Sequence, residues 1–180
     1  MLKGQDIVLL VKLITNKEAR SWSQAKLAEH LCMSSSTINA SLKALSDASI
    51  VHKKNTYMNP YDVSLVNIYD INEFLIKGIK YFFSAEKGTI TCGIPTSCSA
   101  PLMKEIFTAS EEELVWPYAE GTVRGVALKP FYHTVPESVV KYPDEPFYEM
   151  LYLMDVLRSG NYREKEYAIK LISERIGKCL

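Results

Sequence analysis

The chain has 180 residues, enough for one large domain or two small ones, and its 47% apolar and 23% charged residues are ordinary for a globular protein. That composition excludes a wholly disordered chain, and a formal net charge of zero argues against a strongly cationic coat for nucleic acid. The charge is uneven: residues 1–60 hold 8 Lys or Arg against 4 Asp or Glu, a balance of +4, and the remainder holds 13 against 17, a balance of −4.

Gln5 to Thr15 places Ile7, Leu10, Val11 and Ile14 at i, i+3, i+4 and i+7, which predicts a helix with one buried face. Val8, Leu9 and Leu13 widen that surface beyond the need of one small helical core. Either a second part of the chain, a second copy or the chain's own core covers them. The run Ile7 to Val11 is broken by Lys12 and is too short to span a membrane, and no basic segment with a small-residue cleavage pattern suggests a signal peptide. Cys32, Cys92, Cys98 and Cys179 lack C-x2-C spacing, so the expectation is reduced thiols in a cytoplasmic protein without metal or cofactor. A Cys92–Cys98 disulfide is the weaker alternative.

A polar connection from Asn16 to Trp22 follows, with Trp22 as its anchor. The next helix has two candidate caps, Ser21 with Gln24 in S-x-x-Q spacing, or Ser23. Ser23 to Leu45 then reads as helix, turn, helix. Leu27, Ala28 and Leu31 form one stripe, Ile38, Leu42 and Leu45 form another, and Ser34 or Ser35 is placed to cap the second helix. With Met33 and Ser34 at the turn, these residues resemble those of bacterial winged helix-turn-helix regulators, the MarR-like and related group, over about residues 5–68. The chain departs from that pattern at Cys32, where glycine is usual. A non-glycine residue held left-handed there costs roughly 1–2 kcal/mol unless packing offsets it or the turn differs.

Ile50, Val51 and His52 have β character, Lys53 to Asn55 start a turn, and Asp62 to Ile68 supply a returning strand, with Pro60 at an irregular tip. The resemblance makes this pair a wing. It also turns Ser35, Ser36, Thr37, Asn39 and Ala40 toward the DNA major groove. Asn39 is suited to adenine because its amide donates and accepts together, and the serine and threonine hydroxyls suit phosphate. Lys43, Lys53 and Lys54 add phosphate contacts, each with a solvated surface charge as the alternative. Without arginine on the recognition helix, a homodimer on double-stranded DNA is expected, since two copies double a modest electrostatic contribution.

Asp70 with Glu73 is the expected cap of a helix over Asp70 to Phe83, interrupted by Gly78, which favours close approach of a neighbour. From Ser84 to Pro136 glycine, proline and aromatics dominate. Thr89–Cys92 and Val123–Leu128 are the strand candidates, with a short helix after Pro101 and a solvated run at Glu111 to Glu113. Trp116, Tyr118, Arg124, Tyr132 and His133 suggest a surface for a small-molecule effector or protein partner, or the core of a mixed domain. Asp144 caps a helix with Pro146 in its first turn and Gly160 at its end. Asn161 and Glu164 open another, and the short joint implies an αα-hairpin.

The expected fold is therefore α+β and mainly helical: a winged helix-turn-helix DNA-binding domain over 1–69, then a mixed domain over 70–180 ending in an αα-hairpin and serving dimerisation, sensing or partner binding. The three histidines form no sequence-close metal pair, and no Walker loop, nucleophile elbow, dinucleotide fingerprint or H-E-x-x-H occurs. A transcriptional regulator is expected rather than an enzyme. The alternative is an adaptor or antitoxin-like module whose winged helix binds protein.

Overall fold

The computed structural model describes residues 1–53, 63–65, 67–107 and 112–178, and it is α+β. Helix α1 (Gly4–Thr15) starts where Asp6 accepts the Lys3 amide at 2.7 Å. It is buried from Asp6 to Ile14, so Val8, Leu9 and Leu13 are covered by the chain itself. Helices α2 (Gln24–His30) and α3 (Ser35–Asp47) lead into the antiparallel pair β1 (Val51–Lys53) and β2 (Val63–Leu65), in register Val51 to Leu65 and Lys53 to Val63. Lys53, expected to start the turn, is instead the last residue of β1 and pairs with Val63, while Lys54, Asn55 and the tip at Pro60 lie outside the described residues.

Helix α4 (Ile68–Glu73) passes through a wide π turn over Phe74–Gly78 into α5 (Ile79–Phe82). Its cap corrects the expected one at Asp70: Asn67 accepts from the Tyr69 amide at 3.0 Å while its own amide donates to Asp70 at 2.8 Å. Asp70 therefore supports the cap from inside the first turn. The neighbour approaching Gly78 is Phe74 of the preceding turn, whose ring would lie 2.9 Å from an added Cβ.

Three strands, β3 (Lys87–Pro95), β4 (Leu114–Pro117) and β5 (Val123–Leu128), close on one another. β3 runs antiparallel to both partners, and β4 and β5 pair in parallel through Leu114 to Val126. Closure over so few strands brings backbones very near. A Cβ on Gly93 would meet the Trp116 carbonyl oxygen at 2.0 Å, and one on Gly125 the Glu113 carbonyl oxygen at 2.5 Å, so both positions require glycine. Between β3 and β4 lies α6 (Pro101–Ile106), begun by its proline as expected.

After β5 come α7 (Val135–Lys141), α8 (Glu145–Ser159) and α9 (Tyr162–Lys178). Asp144 caps α8 by accepting from the Phe147 amide at 3.2 Å. Asn161 and Glu164 form a reciprocal cap, with bonds of 2.7 and 3.0 Å. α8 packs on α9 and on α1, and one continuous cluster of buried side chains runs from Ile7 in α1 to Ile176 in α9.

The sheet is tied to α8 by one carboxylate. Asp155, fully buried, accepts from the Thr96 hydroxyl at 2.8 Å, the Trp116 indole at 2.6 Å, and the Arg158 guanidinium at 2.6 and 3.1 Å. Arg158 continues to the Lys129 carbonyl at 2.9 Å and lies over the Phe131 ring. Asp155→Ala would strand these donors, and a loss of about 3–5 kcal/mol is expected. Urea denaturation at neutral pH measures it, and a loss below about 1 kcal/mol would show that the donors find other partners.

Candidate nucleic-acid interface

The site is built from two short helices and the joints that end them. Ser23, not Ser21, caps α2, accepting from the Lys26 amide at 3.2 Å. α2 stops at Cys32, which is left-handed with φ 51°. The Cys32 amide donates to the Glu29 carbonyl at 3.1 Å and the Met33 amide to the Ala28 carbonyl at 2.9 Å, the bond pair that normally terminates a helix at glycine. The turn is therefore the usual one, held by a half-buried cysteine. Helix α3 ends the same way at Ser49, φ 57°, with the Ile50 amide donating to the Leu45 carbonyl at 2.9 Å.

Of the two candidate caps for α3, Ser34 is the one used: its oxygen accepts from the Thr37 amide at 3.1 Å and shares hydrogen bonds of 2.8 Å with the hydroxyls of Ser36 and Thr37. Ile38, Leu42 and Leu45 face inward, joined by Ser41. The outer face presents Ser35, Ser36, Asn39, Ala40 and Lys43, all exposed, with Thr37 half-buried. Lys53 lies on β1, and Lys54 is outside the described residues.

Two features of this surface carry no local sequence signal. The Gln24 amide donates to the Asn39 side-chain oxygen at 3.2 Å. That bond engages the Asn39 oxygen and holds its amide against Gln24. The second is a clamp from α7 on the end of α2. The Thr134 hydroxyl donates to the Leu31 carbonyl at 2.9 Å, the Ser138 hydroxyl to the His30 carbonyl at 3.0 Å, and the Tyr142 hydroxyl to Glu29 at 3.2 Å. Carbonyls that a helix end leaves unpaired are thereby satisfied from about a hundred residues away.

The second group of candidate residues is divided. Trp116 is fully buried with its indole on Asp155 and belongs to the core. Tyr118 is half-buried at the β4–β5 turn. Arg124 is exposed beside an open hollow of about 800 Å³ lined also by Ile90, Glu112 and Glu113. Tyr132 and His133 are brought together, ring centres 4.3 Å apart, but line no part of that hollow. Of the acidic run, Glu112 pairs with Lys87 and Glu113 with Lys104 at 2.6 Å. Cys32, Cys92 and Cys98 are free thiols, so the Cys92–Cys98 disulfide is absent.

Comparison with protein-family models, curated proteins and solved structures finds no match to this chain. Among the described residues no group of three or more His, Cys, Asp or Glu is arranged to hold a metal ion, and no helix is long and apolar enough to cross a membrane.

Because Ser34 alone starts α3, Ser34→Ala is expected to lower stability by about 1 kcal/mol, and Ser34→Asp to restore most of it. Thermal and urea unfolding of both variants measure the effect. Equal stability of Ser34→Ala and wild type would mean that Ser36 and Thr37 replace the cap.

Proposed function

We propose that residues 1–69 form a winged helix-turn-helix domain and that the chain is a sequence-specific, double-stranded-DNA-binding transcriptional regulator acting as a homodimer in the cytoplasm. The observation that carries this reading is the outer face of α3. Asn39 is exposed and oriented by Gln24, and lies next to a capped helix start bearing Ser35 and Ser36. An oriented amide is what adenine recognition asks of a side chain, and hydroxyls beside free amides at a helix start suit phosphate. The basic balance of residues 1–60 supports it. On this reading α1 to α3 carry the reading helix, β1 and β2 form the wing, and residues 70–180, ending in the antiparallel α8 and α9, provide dimerisation, sensing or partner binding. It is a binding role, without catalysis.

A second reading has its own observation. Tyr69, Tyr81 and Phe82 on the α4–α5 segment are 84%, 78% and 66% exposed, a concentration of apolar surface that suits a protein partner. The chain would then be an adaptor or antitoxin-like module.

Genomic fragments titrated by fluorescence anisotropy at several salt concentrations separate the two. A dimer using three or four phosphate contacts per copy predicts a log–log salt slope of about −5 to −7. Asn39→Ala should weaken the preferred fragment about 5- to 150-fold while leaving non-specific binding unchanged. No fragment retained even at low salt would overturn the regulator reading. Light scattering should give a dimer, and a monomer at high micromolar concentration would count against the two-copy arrangement.

A further inference from the structure

The helix formed by α4, the π turn and α5 runs over residues 68–82 without a break. It turns Ile71, Leu75 and Ile79 inward, each 2% exposed or less, against α8 and α9. Its outer side carries Tyr69, Glu73, Lys77 and Tyr81, each four residues after the last and each exposed. A row of that spacing drifts by about 40° per step around an α-helix, and the wide turn over Phe74–Gly78, with more residues per turn, reduces the drift. The four positions therefore share one outward face, with Asp70 and Lys80 beside them, both exposed.

Read outward from Leu75, this segment mirrors itself with its charge inverted. Tyr69 answers Tyr81, Asp70 answers Lys80 and Glu73 answers Lys77, while Ile71 answers Ile79 on the inward stripe. Two copies of the helix laid antiparallel about a two-fold axis put every one of these acids opposite a base and every tyrosine opposite a tyrosine. Acids early and bases late also suit the helix dipole. The dipole does not account for rings at both ends, 84% exposed at Tyr69 and 78% at Tyr81. Nor does it account for Lys80, which has no carboxylate partner among the described residues and rests over the Tyr81 ring at 4.9 Å. Glu73 and Lys77 pair within the chain at 2.5 Å, but with side chains 62% and 72% exposed both keep polar atoms free for a second partner.

The area is also of the right order. Tyr69, Tyr81 and the neighbouring Phe82 each offer roughly 150–250 Å² to a covering surface. With the stems of Glu73, Lys77 and Lys80 the face approaches the roughly 800 Å² per partner of a standard interface. Among the described residues no other helix exposes two aromatic rings.

We infer that residues 68–82 are the seam between two copies of this chain, packed antiparallel about a two-fold axis, with Glu73 against the second copy's Lys77, Asp70 against its Lys80 and Tyr69 against its Tyr81. The seam rests on the two-copy reading above and names the surface that reading needs. An unrelated partner would have to supply the same row with inverted order, whereas a second copy has it by symmetry. The helix begins three residues after β2, and the axis across it relates the two α3 faces as the halves of a palindromic site are related.

Sedimentation equilibrium of the full chain tests the seam, and wild type should dimerise with a Kd below about 100 μM. Glu73→Lys and Lys77→Glu, both at exposed positions, should keep the wild-type circular dichroism and weaken the dimer at least about ten-fold, since each sets like charges face to face twice per dimer. Tyr81→Ser should weaken it by a similar factor. Mixed in equal amounts, Glu73→Lys and Lys77→Glu should form a heterodimer of near wild-type affinity, because an all-basic row then meets an all-acidic one. A role confined to the pair within one chain predicts no such rescue. A dimer unaffected by all three variants lies on another face and overturns the seam while the two-copy reading stands. Weakened variants that fail to pair on mixing overturn the antiparallel register. A wild-type monomer at high micromolar concentration overturns the seam and the two-copy reading together, and leaves this face to a different protein.

Discussion

The buried carboxylate of Asp155 is the constraint on which the C-terminal half depends. A charge in an apolar interior is tolerated only when it is paired and its lone pairs are filled, and here donors from three separate segments do so: Thr96 beyond β3, Trp116 on β4, and Arg158 one turn further along α8. Arg158 then spends its remaining donors on the carbonyls of Lys129 and Ser84, just outside β5 and before β3. A three-stranded closed sheet has too little interior of its own to be stable, so it needs a helix to complete its core. The Asp155 network fixes where that helix sits and in what register the strands meet it. Bulky Trp116 fills the same junction, with its ring edge-on to Tyr148, whose hydroxyl donates to the Pro95 carbonyl at 2.5 Å.

The other end of the same helix repeats the device. Asp144 lies eleven residues before Asp155, close to three helical turns, so both acids fall on the face of α8 turned toward the rest of the chain. Asp144 caps α8 and neutralises Lys12 in the last turn of α1, a helix buried from Asp6 to Ile14. The two pairs differ in what surrounds them. Arg158 has carbonyls for its further donors, whereas Lys12 has ring faces, so the Lys12 end is the less completely satisfied and the one that borders a cleft.

Those elements whose cause is local were legible in the sequence. The caps at Asp144 and Asn161–Glu164, Gly160 after α8, and the strand at Val123–Leu128 each follow from nearby residue types, and the cap of α3 was narrowed to Ser34 or Ser35, of which the structure uses Ser34. The β4 strand was not legible, because Leu-Val-Trp-Pro has no alternation: three of its four side chains are buried, as closure demands. The start of α4 was misplaced by three residues because Asp70 looks like a cap and is in fact bonded to one. Of the candidate site, the outward set on α3 was readable from period alone. Its orientation by Gln24, the clamp from α7 and the Lys12–Asp144 pair were not, since contacts spanning 15, about 100 and 132 positions leave no spacing to recognise.

The clamp also decides how α2 and α3 must behave. With seven residues, α2 is too short to be stable by itself, and its stability comes from Leu27 and Ala28 in the core and from partners at its two ends. One end is local, Ser23. The other is Thr134, Ser138 and Tyr142 of the C-terminal half. The turn at Cys32 follows rigidly from that end, because its two backbone bonds reach back to Ala28 and Glu29, and the cap of α3, Ser34, lies two residues after it. A displacement of α7 therefore cannot be absorbed in the joint; it moves the start of α3 and the face bearing Asn39. In the proposed regulator this makes the C-terminal half the element that sets how α3 meets DNA.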